Sequence, residues 1–473
     1  MNFGFISDSE NIFAGAAEKM GYLCPADFCR ACLPDTDTQP GRQFLKGNTN
    51  HSEMKRLATA IATVFIAALP AFSQSTEQIE AFLTDSIDNG RQEILEQLAN
   101  MPNIEVGKGI TFRPRNDSYE MTIRFRMQNM LGLHFNDRFG LSETEAQIKR
   151  LRLRFDGYIF SPKFVYSIQL GFSSYDADPI PNGNMNLIRD AIVYFVPNSS
   201  WNIGFGQTKV KANRARVNSS SALQFVDRSI VNSEFGGDRD IGFFGEYYYG
   251  DHDSFALAAK ASVTLGEGRN WNTSEVAAGG FAYTGRMELY PFGRLHGKSE
   301  YIEGDLEYEE TPKLMLGLGY TFNDRAQRVQ GWKGAIISGD QTRDIGSYYA
   351  DLVFKYRGFA IAADYLGRHL FNQSAVISGN QHIYTGSGLN VQGSYLFDSK
   401  WELAARNSTM FPDGEIQPLI GYSMWNQSTV GLTRYIIGHS LKVQLDVSYN
   451  YMKDAPVAPS DRWSIRFQVE LGL

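Results

Sequence analysis

Apolar and polar side chains alternate along most of the chain between Tyr119 and Leu473. A period of two residues is that of a β-strand with one apolar and one polar face. The alternating segments run for about ten residues or more, which exceeds the five or six residues of a typical strand in a soluble sheet. The pattern therefore predicts long strands. In one clear example, Leu441, Val443, Leu445, Val447, Tyr449 and Tyr451 alternate with Lys442, Gln444, Asp446, Ser448 and Asn450.

The connections between these segments fall into two classes. Short ones such as 162–163 and 198–200 alternate with long polar ones at 175–186, 212–238, 323–345 and 409–425. Short turns at one rim, long loops at the other and aromatic residues near the strand ends are typical of a transmembrane β-barrel. Closure satisfies the backbone groups within lipid, whereas a soluble β-sandwich would need shorter strands around a buried core.

The alternating segments number about 16 to 18, and bacterial barrels of one chain have even strand numbers. We therefore predict an all-β fold, a transmembrane antiparallel β-barrel of about 16 strands that spans residues 107–473. A barrel of this size encloses a water-filled lumen rather than a packed core. The sequence has no apolar run long enough for a membrane-spanning helix, so it does not predict a helical membrane protein.

The segment 74–106 has a different pattern. Apolar residues recur there at helical spacing among Glu, Gln and Asp, which predicts a short amphipathic helix on the periplasmic side. A short oligomerising coil and a solvated leader helix are both compatible with the pattern. The apolar positions are Ile79, Phe82, Leu83, Ile87, Ile94, Leu98 and Met101.

Residues 54–73 have the three parts of a secretory signal peptide. Met54, Lys55 and Arg56 precede an apolar stretch at 57–69, and small residues follow near Ser73. We predict cleavage after Ser73. Because such a signal is read at an N-terminus, we expect that 1–53 is not translated; the alternative is a genuine soluble leader.

Charge and cysteine content exclude further classes of function. The formal net charge of -7 argues against a protein that coats nucleic acid. The only cysteines are Cys24, Cys29 and Cys32, which resemble part of a metal site but lie upstream of the predicted signal. The predicted mature chain therefore has no cysteine, and we expect no metal and no cofactor.

Strand parity places a row of cations on the polar, lumen-facing side of the predicted barrel. The first two strands and the last are neighbours when the sheet closes, so their basic residues form one wall. A charged face is usually a solvated face, and here the solvated face is the channel lining. The predicted lining residues are Arg124, Arg126, Arg150, Arg152, Arg154 and Arg466.

The same reasoning predicts an acidic strand at 301–310, the ninth of the barrel. Its lumen-facing residues would be Glu303, Asp305, Glu307 and Glu309. Roughly opposite the basic wall, this strand would create a transverse field across the lumen.

The stretch from Asp190 to Gly242 contains DAIVYFVP, WNIGFGQTKVK, SSSALQFVDRSIV and GGDRDIGF in that order. This order resembles the phosphate-selective porin O and P family of outer-membrane barrels. Val210-Lys211-Ala212 stands where Pro-Phe commonly follows the family's Gln-x-Lys motif. The matching positions are Gly206, Gln207, Lys209, Ser219, Ser220, Phe225, Arg228, Ser229, Arg239, Asp240 and Gly242.

The resemblance implies a homotrimeric porin in the outer membrane of a Gram-negative bacterium, in contact with lipopolysaccharide. Its third loop would fold inward and narrow the pore, with Lys209, Lys211, Arg214 and Arg216 at the constriction. We expect diffusion of small hydrophilic solutes with a modest preference for anions, including phosphate or polyphosphate.

Two other functions compete with a porin. The first is a non-conducting barrel, plugged by its long loops, that acts in adhesion or surface assembly. The second is a barrel hydrolase, but the predicted mature chain has no G-x-S-x-G motif and its histidines are scattered. We therefore expect no enzyme. The histidines are His134, His252, His296, His369, His382 and His439.

Overall fold

The structure, a computed structural model, describes residues 101–176, 185–270, 279–339, 341–379 and 381–473, together with Arg91 and the backbone of 178–179. The predicted leader 1–53, the signal peptide 54–73 and the helix at 75–101 lie outside the described residues, apart from Arg91 and Met101. Those three expectations stay predictions.

The main sheet has 18 strands, of which two form a short N-terminal hairpin and the remaining sixteen form a barrel. Most of their apolar residues face outward and most of their polar residues face inward, as the alternation predicts. The barrel strands are β1 Tyr119–Phe135, β2 Leu141–Ile159, β3 Ser161–Gly171, β4 Ile188–Asn198, β5 Trp201–Lys209, β6 Arg239–Tyr249, β7 Ala256–Thr264, β8 Ala282–Tyr290, β9 Lys313–Ala326, β10 Arg343–Tyr356, β11 Phe359–Leu370, β12 Gly386–Leu396, β13 Trp401–Pro412, β14 Met424–Ile437, β15 Leu441–Lys453 and β16 Trp463–Gly472.

The barrel closes between its last and first strands. β16 pairs antiparallel with β1, with Phe467 opposite Leu131 and Gly472 opposite Arg126. All other neighbouring barrel strands also pair antiparallel, so the predicted closed barrel of 16 strands is confirmed. In the part of the chain that the structure describes, no helix has the length and apolar character needed to cross a membrane.

The N-terminal hairpin consists of the strands Asn103–Glu105 and Gly109–Phe112. Its second strand pairs with Met121–Ile123 of β1. It therefore covers the part of β1 that extends beyond the end of β16.

The connections lie at two rims. One rim, the turn rim, carries the connections 160, 199–200, 250–255, 291–312, 357–358, 397–400 and 438–440. The opposite rim, the loop rim, carries 136–140, 172–187, 210–238, 265–281, 327–342, 371–385, 413–423 and 454–462. The segment 291–312 stands out, because it is long although it belongs to the turn rim.

The connections contain short elements of their own. The helices are α1 Arg214–Val217 and α2 Ile230–Phe235 in the connection 210–238, and α3 Gln417–Ile420 in the connection 413–423. A 3-10 helix occupies His296–Tyr301. Two small hairpins pair Val376–Ser378 with Gln381–His382, and Asp178–Pro179 with Met185–Asn186.

The acidic strand predicted at 301–310 is wrong, because this segment belongs to the connection 291–312 and the ninth strand is Lys313–Ala326. Gly297, Lys298, Gly304 and Tyr308 have positive φ angles of 59, 56, 73 and 54°. Such left-handed backbone is incompatible with a continuous strand. The charges alternate by accident in a segment whose backbone turns repeatedly.

Two β-bulges change which side chains face the lumen. In β2 the register passes from Arg150 to Ile148 and leaves Lys149 unpaired; in β4 it passes from Asp190 to Ile188 and leaves Arg189 unpaired. A bulge lets two consecutive residues point to the same face. Lys149 and Arg150, and likewise Arg189 and Asp190, are all buried on the lumen side.

Candidate functional site

The connection 210–238, which we call loop 3, folds into the lumen. Its apolar residues, such as Val231 and Phe235, belong to a buried cluster with the inward-facing Leu366 of β11 and Met410 of β13. Ser229 caps α2, since its hydroxyl accepts a hydrogen bond from the backbone N–H of Asn232 at 3.1 Å. Loop 3 is thus packed against the wall opposite its own strands.

Polar contacts hold the tip of loop 3 on the same side. Gln224 Nε2 donates to Glu402 Oε1 at 2.7 Å, and the backbone N–H of Val226 donates to Asp446 Oδ2 at 2.9 Å. Lys442 Nζ donates to the carbonyl oxygen of Leu223 at 2.6 Å. These partners lie on β13 and β15, so the loop crosses the lumen.

The connection 291–312, which we call the inner loop, enters the lumen from the opposite rim and meets loop 3. The backbone N–H of Glu303 donates to the carbonyl oxygen of Ala222 at 2.9 Å, and Glu303 Oε2 accepts from the backbone N–H of Gln224 at 2.9 Å. Lys355 Nζ of β10 donates to the carbonyl oxygen of Ser299 at 2.7 Å. The two loops together fill the side of the lumen along β7–β15, which we call the far wall.

Open space remains along β1–β5, which we call the near wall. It includes two cavities of about 250 and 240 Å³ that are bordered by described residues. The first, the loop-side cavity, lies toward the loop rim and is bordered by loop 3. The second, the turn-side cavity, lies toward the turn rim, between β1, β2 and the end of β16. A solute path along the near wall would pass through both.

The loop-side cavity has nine basic residues against three carboxylates. Asp227 Oδ2 lies 2.6 Å from Lys149 Nζ, and Asp238 Oδ2 lies 2.6 Å from Arg216 Nη2. The basic residues are Arg150, Arg152, Arg189, Lys209, Arg216, Arg228, Arg239, Arg269 and Lys333, and the carboxylates are those of Asp176, Asp227 and Asp238.

Some of these basic side chains donate to backbone carbonyl groups, which have no formal charge with which to neutralise them. Lys209 Nζ donates to the carbonyl oxygens of Val217 and Asn218, both at 2.8 Å, and Arg228 Nη2 donates to that of Asn218 at 2.7 Å. Lys333 donates to the carbonyl oxygen of Ser233. The cavity therefore carries an excess of positive charge.

Burial and the surrounding positive charge change the pKa values of two side chains at this cavity, those of Asp227 and Lys333. Burial alone would raise the pKa of Asp227, but the charges of Lys149 and Arg150 outweigh burial and hold that pKa well below its ordinary value. Burial, helped by the charge of Arg216, lowers the pKa of Lys333 to about 7. The carboxylate stays ionised, whereas Lys333 titrates near neutral pH.

The turn-side cavity is bordered by Arg124, Arg126, Arg152 and Arg154, with Glu470 and the C-terminal Leu473. Arg124 and Arg154 both pair with Asp156. Arg152 borders both cavities. Its side chain, together with Arg126 and Ser220, forms the boundary between them.

The structure brings most of the predicted lining residues to the near wall. Arg124, Arg126, Arg150, Arg152, Arg154, Lys209 and Arg216 all border one of the two cavities. Arg466 faces the lumen next to them and pairs with Asp446 at 2.8 Å. Their role in permeation stays a prediction.

Lys211 and Arg214, predicted at the constriction, border neither cavity. Lys211 Nζ lies 3.0 Å from Glu246 Oε1, and the fully buried Arg214 lies 3.5 Å from Asp364. Both face the filled side, because loop 3 turns away from its own strands immediately after β5.

The acidic residues expected to line the pore serve other purposes. Asp305 Oδ2 accepts from the backbone N–H of Gly358 at 2.8 Å, and Glu309 Oε1 accepts from that of His296 at 2.7 Å. Glu303 holds loop 3, and Glu307 is exposed. Asp305, Glu309 and Glu303 fix the inner loop in place, and the four carboxylates do not form an open acidic wall.

Sequence reasoning missed Lys149, Arg189, Arg269 and Lys333. The first two have a readable signal, since two consecutive charged residues inside an alternating strand (Lys149-Arg150 and Arg189-Asp190) indicate a bulge. Arg269 and Lys333 lie in connections and have no such signal.

The residues of the sequence motif build the frame of loop 3. Gly206 has a φ of 137°, and a Cβ there would lie 2.3 Å from the carbonyl oxygen of Ala191. Arg239 lies 3.0 Å from Asp190, and Asp240 Oδ2 accepts from the backbone N–H of Gly266 at 2.6 Å.

Two further motif residues anchor the frame. Gln207 Nε2 donates to the carbonyl oxygen of Arg189 at 3.1 Å. Phe225 is buried beneath the guanidinium of Arg406, which lies 4.4 Å from the centre of the Phe225 ring.

Among the described residues, no group of His, Cys, Asp and Glu could hold a metal ion.

Comparison of the sequence with models of protein families identifies one family. The family model described as phosphate-selective porin O and P matches residues 121–471. No curated protein matches the sequence.

Several solved structures match the chain at low sequence identity. OmpT of Vibrio cholerae is 11% identical, with 78% of this chain and 100% of that chain covered and a TM-score of 0.46. The channel DcaP of Acinetobacter baumannii is 14% identical, with 77% and 100% covered and a TM-score of 0.46. The anion-selective porin from Comamonas acidovorans is 10% identical, with 75% and 100% covered and a TM-score of 0.45.

Proposed function

The chain belongs to the phosphate-selective porin O and P family and is an outer-membrane channel, and from this premise we propose that it conducts small anions along its near wall. The supporting observation is the loop-side cavity, in which nine basic residues face three carboxylates. A narrow passage lined by one sign of charge concentrates the opposite ion and excludes ions of its own sign.

The chemistry of the lining favours oxyanions. Guanidinium groups present two parallel N–H donors that match phosphate or carboxylate oxygens, and they stay charged at physiological pH. Arg150, Arg152 and Arg228 lie together in the loop-side cavity. Inorganic phosphate and short polyphosphates are therefore the proposed solutes, with chloride as a weaker one.

The reversal potential in planar bilayers under a salt gradient tests this proposal. We expect anion selectivity that weakens as the salt concentration rises, because salt screens the lining charges. The double variant Lys209→Gln, Arg216→Gln should shift the reversal potential toward cations, since both residues border the loop-side cavity.

The matched control is Lys211→Gln. Lys211 lies only two residues from Lys209 but pairs with Glu246 on the filled side. Its replacement should leave the reversal potential nearly unchanged. An equal shift in both variants, or none in the double variant, would contradict the proposed path.

The filled lumen supports a second candidate, a non-conducting barrel that acts in adhesion or surface assembly. Loop 3 and the inner loop meet between the walls, and the two remaining cavities are separated by the boundary at Arg152. Single-channel recordings decide between the two functions. Discrete conductance steps support the channel, and their absence in correctly folded protein supports the plugged barrel.

The family and the fold indicate a channel rather than an enzyme. For the assembly, we propose a homotrimer in contact with lipopolysaccharide. In a Gram-negative outer membrane the turn rim would face the periplasm and the loop rim the exterior, because barrels of this class have short periplasmic turns and long external loops.

A further inference from the structure

Three glycines of the far wall face the lumen against loop 3. Gly319 lies in β9, Gly388 in β12 and Gly431 in β14, and each falls at an inward position of its strand. None of these three described residues has a positive φ angle, so the backbone conformation does not require glycine there. Glycine inside a strand weakens the strand and often marks a place that another part of the backbone or a ligand approaches closely.

Side chains of loop 3 pack directly on two of these glycines. A Cβ at Gly388 would lie 2.8 Å from Val231 Cγ2, and a Cβ at Gly431 would lie 2.9 Å from Phe225 Cδ1. The favourable distance between two carbon atoms is about 3.5–4.0 Å. Val231 and Phe225 are at most 1% exposed, so neither side chain has free space to turn into. An alanine would therefore fit at either position only if loop 3 moved.

The third glycine contacts the backbone of loop 3. A Cβ at Gly319 would lie 2.4 Å from the carbonyl oxygen of Ala212, three residues beyond the end of β5. The same oxygen accepts a hydrogen bond from Arg286 Nη1 at 3.2 Å, and Ala212 is fully buried. The three glycines thus contact loop 3 at its beginning, at its middle and at α2.

The opposite side of loop 3 borders the loop-side cavity. Ser233 follows Val231 by two residues in α2, and residues two apart in an α-helix point about 200° away from each other. Ser233 is exposed and borders the cavity, whereas Val231 is buried on Gly388. Asp227 likewise borders the cavity, whereas Phe225 is buried. The distance of loop 3 from the far wall therefore sets the width that remains beside the near wall.

We propose that Gly319, Gly388 and Gly431 are positioning residues for permeation, which let loop 3 lie close enough to the far wall to keep the path along the near wall open. This inference rests on the proposed function. A methyl group at any of the three would displace loop 3 toward the near wall, since an extra methyl in a well-packed contact forces the backbone to shift. The charges of the lining would stay the same, so the conductance should change more than the selectivity.

Single-channel conductance in potassium chloride tests the proposal. In Gly388→Ala we expect the conductance to fall by about half without a change in the sign of the reversal potential, because the methyl shifts the backbone but removes no charge. Gly285→Ala is the matched control, since Gly285 lies in β8 on the outward face and a Cβ there would meet no atom within 4 Å. It should keep the wild-type conductance. Equal conductance in the two variants would overturn the proposal.

Second substitutions distinguish a displaced loop 3 from a general loss of folding. Val231→Ala removes both methyl groups that the new Cβ of Gly388→Ala would meet, so the double variant should regain most of the wild-type conductance. Val231→Ala alone should conduct nearly as the wild type does. Ala212→Gly should not restore Gly319→Ala, because the clash there is with a backbone oxygen. No recovery in the first pair, or equal recovery in both pairs, would contradict the proposed contacts.

A further pair covers the case in which Gly388→Ala does not fold. Gly431→Ala should lower the conductance in the same way, because its Cβ would meet the ring of Phe225. Phe225→Leu removes that ring and should restore the conductance of Gly431→Ala. A conductance that stays low in this double variant would count against the inference.

A cysteine at Ser233 reports the position of loop 3 without any current. The sequence has no cysteine beyond Cys32, so Ser233→Cys gives the barrel a single thiol. Its reaction with a charged thiol reagent should slow several-fold when Gly388→Ala is added and recover when Val231→Ala is added as well. An unchanged reaction rate would overturn the inference. A wild-type barrel without conductance steps would instead overturn the proposed function, and the reaction rate would still decide whether the glycines position loop 3.

Discussion

The near wall and the far wall both turn Lys, Arg, Asp and Glu side chains into the lumen, but the near wall borders the two cavities, whereas loop 3 and the inner loop cover the far wall. On the far wall, Arg286 lies 2.7 Å from Asp351, and Lys260 lies 2.7 Å from Glu288. All four side chains are buried beneath the two loops. On the near wall, Arg124 and Arg154 keep more than two fifths of their side-chain surface exposed. Strand parity tells which side chains face inward, and loop placement decides which of them meet a solute.

The largest effect is expected when the inner loop is shortened. Replacement of residues 294–311 by Asn-Gly, a sequence that suits a tight hairpin turn, removes the contacts with Ala222, Gln224 and Lys355. The side of the lumen along the far wall should then become accessible to solutes. We expect a several-fold rise in single-channel conductance and a loss of anion selectivity, because the carboxylates of the far wall become exposed to solutes.

Removal of residues 455–459 from the connection between β15 and β16 is the matched control, since that segment lies at the loop rim outside both cavities. It should leave the conductance unchanged. A wild-type conductance in the variant without the inner loop would show that the far side is filled by loop 3 alone.

A smaller effect is expected on the free energy of unfolding, which should fall more when an ion pair of the far wall is broken than when one of the near wall is broken. Arg286→Gln should leave the buried Asp351 without its two short hydrogen bonds and cost about 3–5 kcal/mol of the free energy of unfolding. Arg124→Gln should cost less than about 1 kcal/mol, because Arg124 is partly exposed and Asp156 keeps its ion pair with Arg154. Urea unfolding in detergent measures both.

The same two variants should also differ in their effect on ion selectivity. Arg124→Gln should shift the reversal potential toward cations, since Arg124 borders the turn-side cavity. Arg286→Gln should not shift it. The reverse order in either measurement would contradict the distinction between the walls.

The smallest effect is a pH dependence of the near wall. Lys333 has a pKa of about 7 because of burial and the charge of Arg216. It is charged below that pH and neutral above it, so the loop-side cavity loses one positive charge as the pH rises from about 6 to about 8. Anion selectivity should decline over this range.

Lys333→Arg should abolish this decline, because a guanidinium stays charged throughout the range. Reversal potentials at the two pH values measure it. A decline that persists in Lys333→Arg would assign the pH dependence to another group.

The sequence predicts local features of this molecule well. Alternation predicts a barrel of about 16 strands and the inward direction of Arg124, Arg126 and Arg154, because both depend on a period of two residues. The bulges at Lys149 and Arg189 shift that period by one residue, and only the paired charges indicate them. Segment 301–310 imitates a strand, although its backbone turns at Gly304 and Tyr308.

The sequence pattern does not predict that loop 3 and the inner loop cover the far wall. Lys211 and Arg214 are as basic as Lys209 and Arg216, and nothing in their spacing separates the two pairs. Which of the two pairs borders a cavity depends on the position of loop 3. Contacts with residues distant in the sequence set that position. A local pattern carries no information about such contacts.

These distant contacts have a consequence for how the barrel is made. Gln224 and Glu402 are separated by 178 positions, and Val226 and Asp446 by 220. Contacts between such distant residues form late and slowly in folding. Loop 3 cannot find its final place until β13 and β15 are present, so the passage takes shape only as the barrel is completed. A barrel halted before its last strands join would have no defined path, however well its first strands are formed.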